Sequence, residues 1–406
     1  MAKASSRRLI ALLAALIAFG PLSIDMYLPA FPTLEREFGA AGGWVQFTLA
    51  SYFIGMALGQ ALYGPIADHI GRKPPLYAGF LLYVLASAAC GLAQSVESLV
   101  AWRFLQAVGG CAGVVIARAV VRDLYDLQTS ARVLSRLMLV MGAAPILAPL
   151  IGGQILHWVG WRAIFALHAL FGALCFVAVA TWLPETRPTP PAGRAGIGAA
   201  LRTYRSLLAD REFLGFSLSG ALASAGMFAY IAGSPLVMIE IYGIPAQSFG
   251  WIFGMNALGI IGASQLNHRL LSRRRSARIL SVALVTMAGF GVVLLVMGAS
   301  NVFGLLGVLV PLFGFVALIG LINPNATAGA MANQAARAGS ASAMTGTLQF
   351  LAATVAGSLV GLFYDGTARP MVGVMAVSAL GAVLANQVLV RGASGKKPEP
   401  EAGRGL

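Results

Sequence analysis

The chain has 406 residues, of which 58% are hydrophobic and 10% charged, with a formal net charge of +14. Soluble proteins carry roughly 25% charged residues, and a bilayer span needs about 20 apolar ones. Runs such as "LIALLAALIAFGPLSI" and "VALVTMAGFGVVLLVMGA" therefore exclude an array of soluble domains and predict an all-α membrane protein that crosses the bilayer many times.

The first predicted span, 9–31, opens like a secretory signal, with Lys3, Arg7 and Arg8 before an apolar run. It continues to Phe31, long enough to cross, and is read as an uncleaved helix. Inside it, "FGPLSIDMYLPAFP" sets Asp25 among apolar residues between Pro21 and Pro29. A lone charge at membrane depth is costly unless an opposite charge or hydrogen bonds offset it. The second span, 44–67, runs into "GPIADHIGRKPP". There Gly64, Asp68, Gly71, Arg72 and Lys73 form a charged turn, and Pro74 and Pro75 suit the first turn of the next helix.

Span three covers 76–94. Span four, 98–121, carries "RFLQAVGGCAG" and leads to Arg118, Arg122 and Asp123. Span one runs outward and span four inward, so Asp25 and Arg103 fall at similar depth at 1.5 Å per residue; contact between them does not follow from this. Span five, 132–157, holds "GAAPILAPLIGG" with Gly142, Pro145, Pro149, Gly152 and Gly153, and span six covers 161–183. The hydrophilic stretch 184–212 starts extended at Pro184, Pro188, Pro190 and Pro191, and then offers "AALRTYRSLL" as an amphipathic helix for the inner membrane surface. Six more spans are expected at 213–240, 246–267, 278–298, 302–323, 339–363 and 370–390. The organisation is thus a first six-helix bundle (1–183), a cytoplasmic linker (184–212), a second bundle (213–391) and a cytoplasmic tail (392–406).

Basic residues orient the spans. With the N-terminus inside, 23 of the 28 Lys and Arg face the cytoplasm, Arg36, Arg162 and Arg369 lie opposite, and Arg103 and Arg118 are within span four. The positive balance is a topology signal and suits anionic lipid headgroups; no nucleic-acid partner is expected. Cys90, Cys111 and Cys175 lie in apolar segments without ligand spacing, so no metal site is predicted. No phosphate-binding GxxxxGK[ST] occurs, no catalytic constellation recurs in the loops, and no cofactor is expected.

The turn G-x-x-x-D-x-x-G-R-K-P resembles the signature loop of the major facilitator superfamily. "RFLQAVGGCAG" resembles its fourth-helix motif and "GAAPILAPLIGG" its antiporter motif. "IDMYLPAFP", "NPNATAGAM" and "GSASAMTGTLQF" are similar to the Bcr/CflA drug-resistance subfamily. The resemblance implies a two-bundle transporter that expels drugs or other small molecules from a bacterial cytoplasm in exchange for protons, as a monomer and without enzymatic activity. It also implies proton coupling at Asp25 and Arg103, an inner gate at Gly64, Asp68, Gly71, Arg72, Lys73 and Asp123 with Arg122 beside them, and rocking about spans two, five, eight and eleven. Gly55xxxGly59, Gly250xxxGly254 and Gly357xxxGly361 would permit close contact there.

Polar candidates for a central cavity are Tyr27, Gln46, Tyr52, Gln106, Tyr230, Asn256, Asn323, Asn325 and Gln349, with Phe53, Phe228 and Trp251 as apolar walls. His157 and His168 are read as interfacial or packing residues, and Glu240 as solvated. Alternatives are uptake of a metabolite or metal by the same fold, in which Met227 lacks the paired Met or His expected for copper, and a non-transporting membrane sensor. Asp25 as a mere cap of a broken helix is the alternative at that position.

Overall fold

The computed structural model describes residues 2–40, 43–186 and 197–391. Helix α1 (Ala2–Asp25) stops where the chain runs through Pro21, Pro29 and Pro32. It continues as a 3-10 turn (Leu28–Ala30) and a short α2 (Phe31–Phe38). Proline supplies no backbone N–H, so the carbonyls at this break need other donors. Glu37 fixes α2 in place by accepting from the Trp161 indole and the Arg162 guanidinium, both at 2.6 Å.

Five long helices follow: α3 (Gln46–Ile70), α4 (Lys73–Gly91), α5 (Val96–Leu124), α6 (Leu127–Trp158) and α7 (Trp161–Trp182). Their starts are chemically specified. Pro74 and Pro75 occupy the first turn of α4, Ser95 and Ser98 form a reciprocal cap on α5, and Asp126 accepts from the Thr129 amide at the start of α6. The linker contributes α8 (Ile197–Ala209); its segment 187–196 lies outside the described residues, as does the predicted tail.

The second series is α9 (Arg211–Pro235), α10 (Ala246–Leu271), α11 (Ser276–Ser300), α12 (Gly304–Ala317), α13 (Ile319–Met331), α14 (Ala338–Leu362) and α15 (Arg369–Ala385). Single π turns follow α9 and α15. The span predicted at 302–323 ends too early. The helix instead bends at Leu318 and runs through Pro324 to Met331. Asn325 sustains it by donating to the Leu321 carbonyl and to Asn267, at 2.7 and 2.6 Å.

Among the described residues, eleven spans are long and apolar enough to cross a membrane, α12 and α13 counting together. Helix α3 is equally long, 25 residues, but carries Gln46, Gln60, Asp68 and His69 and is not among those eleven. Helices α1 and α3–α7 pack among themselves, as do α9–α15, and α3 along α14 and α6 along α10 join the two sets. One face of the molecule carries the starts of α1 and α9, α8 and the end of α15. It is called here the terminal face, and the face bearing α2 the distal face.

Candidate functional site

Asp25 is the last residue of α1 and is 4% exposed. Among the described residues its carboxylate has neither an ion pair nor a hydrogen bond. The matched-depth residue Arg103 is fully buried on α5, and its charge goes elsewhere. Nη2 donates to the Ser23 carbonyl at 2.9 Å, Nη1 donates to Gln106 Oε1, and Gln106 in turn donates to Ser87 at 2.8 Å. The guanidinium carbon lies over the rings of Tyr27 and Tyr52, 4.3 Å from each centroid. Such desolvated cation–π contacts contribute about 2 kcal/mol. Arg103 thus supplies the donor that the broken α1 cannot, and its stack replaces a carboxylate partner.

The site has two shelves. On the first, Tyr27 is hydrogen-bonded to Thr48, and the Ser23 hydroxyl to Tyr83 at 2.7 Å. Asp25 lies within electrostatic range of Tyr52 and, from the other helix set, Tyr230. On the second shelf Asn256 donates to the Tyr230 hydroxyl at 3.0 Å, and Gln349 donates to Ser224, which donates to Asn323. Across the two helix sets Phe53 meets Phe228 at 4.7 Å, and Phe350, which the sequence did not single out, completes the aromatic group.

Three candidates fall outside this region. Trp251 is 67% exposed on the outer surface of α10; it follows the apolar Gly250 seam but points away from it. Asn325 ties α13 to Asn267 on α10 and Ser276 on α11. Gln46 is buried at the distal start of α3 against Gly361, with both amide atoms unpartnered among the described residues. Of the histidines, His157 is exposed beside Trp158, and His168 is buried against Phe165. Glu240 is exposed.

On the terminal face, Gly71 has φ +94°, the left-handed turn its residue type allows. Arg72, 3% exposed, is bidentate to Asp123 at 2.7 and 3.2 Å and reaches Asp68 at 2.9 Å. Burial opposes its charge, but the two carboxylates outweigh that and raise its pKa above the ordinary arginine value. Sequence reasoning missed Glu185. Its two oxygens accept from the Arg72 and Lys73 amides, 2.9 Å each, capping α4 from 112 residues away. The legible signal was that a proline-started helix still presents orphan amides that attract an anion. A Cβ at Gly64 would meet nothing within 4 Å, and Arg122 lies near Gly339.

Helix α6 runs unbroken through Pro145 and Pro149. A Cβ at Gly152 would overlap the Met26 carbonyl just past Asp25, and one at Gly153 would come 2.7 Å from the Ala246 carbonyl. Gly142 makes only ordinary contact with Ile261. Gly250 and Gly254 face Leu150 and Ile146 on α6 across the two helix sets, and Gly361 faces Gly43. Gly55 and Gly59 instead pack on Phe104, Ala107 and Cys111 of α5 within their own set, so the expected rocking seam does not include that pair.

Comparison with known proteins adds to this geometry. The sequence model of the Major Facilitator Superfamily matches residues 12–357. An uncharacterized MFS-type transporter of Bacillus subtilis (strain 168), YdgK, is 37% identical over 372 residues, 91% of this chain and 92% of that protein. A bicyclomycin resistance protein homolog of Haemophilus influenzae is 32% identical over 365 residues, 90% of this chain and 92% of that one. The crystal structure of a bacterial homolog of the human lysosomal transporter Spinster, inward-facing and unoccupied, superposes with a TM-score of 0.73 at 16% identity. The match covers 95% of this chain and 98% of that one.

Proposed function

The chain belongs to the major facilitator superfamily and is a multi-pass membrane transporter, and on that premise we propose that it expels drug-like small molecules from the bacterial cytoplasm in exchange for protons. Its termini and linker face the cytoplasm, a reading that the Lys and Arg distribution supports. The drug-resistance relative supports the direction of transport.

The observation that carries the proton assignment is Asp25: a carboxylate 4% exposed at the break of α1, without an ion pair among the described residues. Left ionised, it would be an uncompensated charge at membrane depth. Protonated, it is tolerated there. A substrate or a helix movement that exposes or stabilises the anion releases the proton, so proton and substrate alternate at one place. Arg103 is a positioning residue for Asp25, holding the carbonyl two residues before it. Tyr230 and Asn256 bring the other helix set to the same place, and the Phe53–Phe228–Phe350 group offers an apolar, adaptable surface for a substrate.

The test is a growth screen against antimicrobials in an exporter-depleted strain to find a substrate. Transport of that substrate is then measured in vesicles with an imposed pH gradient. Asp25→Asn abolishes uphill transport while downhill exchange survives. Uphill transport by well-folded Asp25→Asn at the wild-type rate removes Asp25 from the mechanism.

A further inference from the structure

Helix α8 has two unlike faces. Tyr204 and Leu207 are buried on one of them. Tyr204 donates its hydroxyl to the Ala61 carbonyl on α3, and Ser206 accepts from Arg337 just before α14. Arg337 also holds Gln334, which donates to Asp210 at the start of α9. The helix is therefore a strap joining the two helix sets at the terminal face.

Among the described residues nothing covers the opposite face. Leu201 and Leu208 are 61% and 42% exposed, Arg205 lies between them at i+4 and i+7 spacing, and Arg202 and Arg211 are exposed beside them. Depth decides what covers this face. Ala61 lies seven residues, about 10 Å, deeper along α3 than Asp68 in the charged turn. A tyrosine side chain is shorter than that distance. The backbone of α8 must then sit at the level where α3 becomes charged, among headgroups and not in the water beyond them. At that level leucines meet the acyl boundary, and arginines between them meet headgroup phosphates.

We propose that the Leu201–Arg202–Arg205–Leu208 face of α8, with Arg211, is a docking surface for anionic phospholipid headgroups, which seat the strap across the two helix sets. The leaflet is the inner one, a clause that rests on the topology proposed above. Charge complementarity selects the headgroup: three guanidiniums attract phosphatidylglycerol and gain no net attraction from a zwitterionic layer.

The experiment uses the full chain with Leu208→Cys carrying a nitroxide. The native cysteines are buried, and the unsubstituted chain reports any labelling of them. The protein is reconstituted in phosphatidylcholine vesicles with or without phosphatidylglycerol. Relaxation by lipid-dissolved oxygen is compared with relaxation by a water-soluble nickel chelate. Oxygen dominates when phosphatidylglycerol is present. The balance moves toward the chelate without it, or on Arg202→Gln, Arg205→Gln and Arg211→Gln, by about fivefold in seated population per arginine. A nitroxide equally open to the chelate in both lipids overturns the docking surface, and one seated irrespective of headgroup charge overturns the anionic assignment. An impermeant maleimide that labels Leu208→Cys in intact cells overturns the topology itself, and so separates that failure from the others.

Discussion

Arg103 donates to the Ser23 carbonyl at 2.9 Å and leaves the carboxylate of Asp25, two residues further on, without an ionic partner among the described residues. A buried arginine and a buried aspartate on neighbouring helices would be expected to pair. Here the broken helix end takes the guanidinium instead: carbonyls in the last turn of a helix lack an in-helix donor, and Arg103 supplies one to Ser23. The consequence is division of labour: the Arg103 guanidinium is committed to the Ser23 carbonyl, Gln106 and two tyrosine rings, and none of these contacts involves the Asp25 carboxylate.

This arrangement makes Arg103→Lys a severe change. An ammonium cannot stack flat between Tyr27 and Tyr52, nor fork to Ser23 and Gln106. Hydrogen bonds to a charged donor contribute about 1.5–3 kcal/mol each, so a loss of at least about 2 kcal/mol is expected. Thermal unfolding in detergent checks it: a midpoint equal to wild type would show that the stack and fork are dispensable.

Gly152 and Gly142 lie ten residues apart on α6 and should behave oppositely. Gly152→Ala places a methyl on the Met26 carbonyl and forces α6 away from the Asp25 turn. Gly142→Ala meets Ile261 at 3.6 Å, an ordinary contact. Vesicle transport should fall at least tenfold for the first, an effect of about 1.4 kcal/mol, and change little for the second. Equal activities would rule out the close approach as a functional requirement.

Glu185→Ala removes the acceptor for two amides at the start of α4. A lost helix cap costs about 1 kcal/mol. Asp123→Asn, which strips half the neutralisation of the buried Arg72, should cost more, about 2 kcal/mol. Chemical denaturation should rank Asp123→Asn as the more damaging; the reverse order would place Arg72's support elsewhere.

Asp126 gives a pH signature outside the spans. The Thr129 amide donates to its carboxylate and lowers its pKa below the ordinary value. A depressed folded value means that the cap's contribution is complete above the unfolded Asp pKa, about 3.9, and is lost as pH falls through the folded value. Hydrogen exchange at the amides of residues 129–131 should therefore be flat from neutral pH down to about 4, after correction for intrinsic rates, and lose protection below it. Lost protection already near neutral pH would be incompatible with this cap.

Much of the molecule was legible in one dimension. Twelve runs of low polarity, their proline and glycine punctuation and the one-sided placement of Lys and Arg depend on local chemistry alone, because lipid makes every backbone satisfy itself within its own helix. Span boundaries were least legible where polar residues are satisfied at a distance, as at Asn323–Pro324–Asn325, which reads as a stop until Asn267 and Ser276 are seen to bond it.

Asp25, Arg103 and the charged turn stood out from sequence because ionisable residues are rare among apolar ones. Their partners did not. That Arg103 would choose a carbonyl, that Glu185 would cap α4 from the start of the linker, that Phe350 would complete an aromatic group, that Trp251 would face outward and that Gly55 and Gly59 would serve α5 are all outcomes of helix rotation and close approach. Sequence determined which groups are too costly to leave alone in a membrane. Tertiary structure decided which neighbour satisfies each of them, because a hydrogen bond or ring contact requires ångström-scale proximity between segments that residue order does not place together.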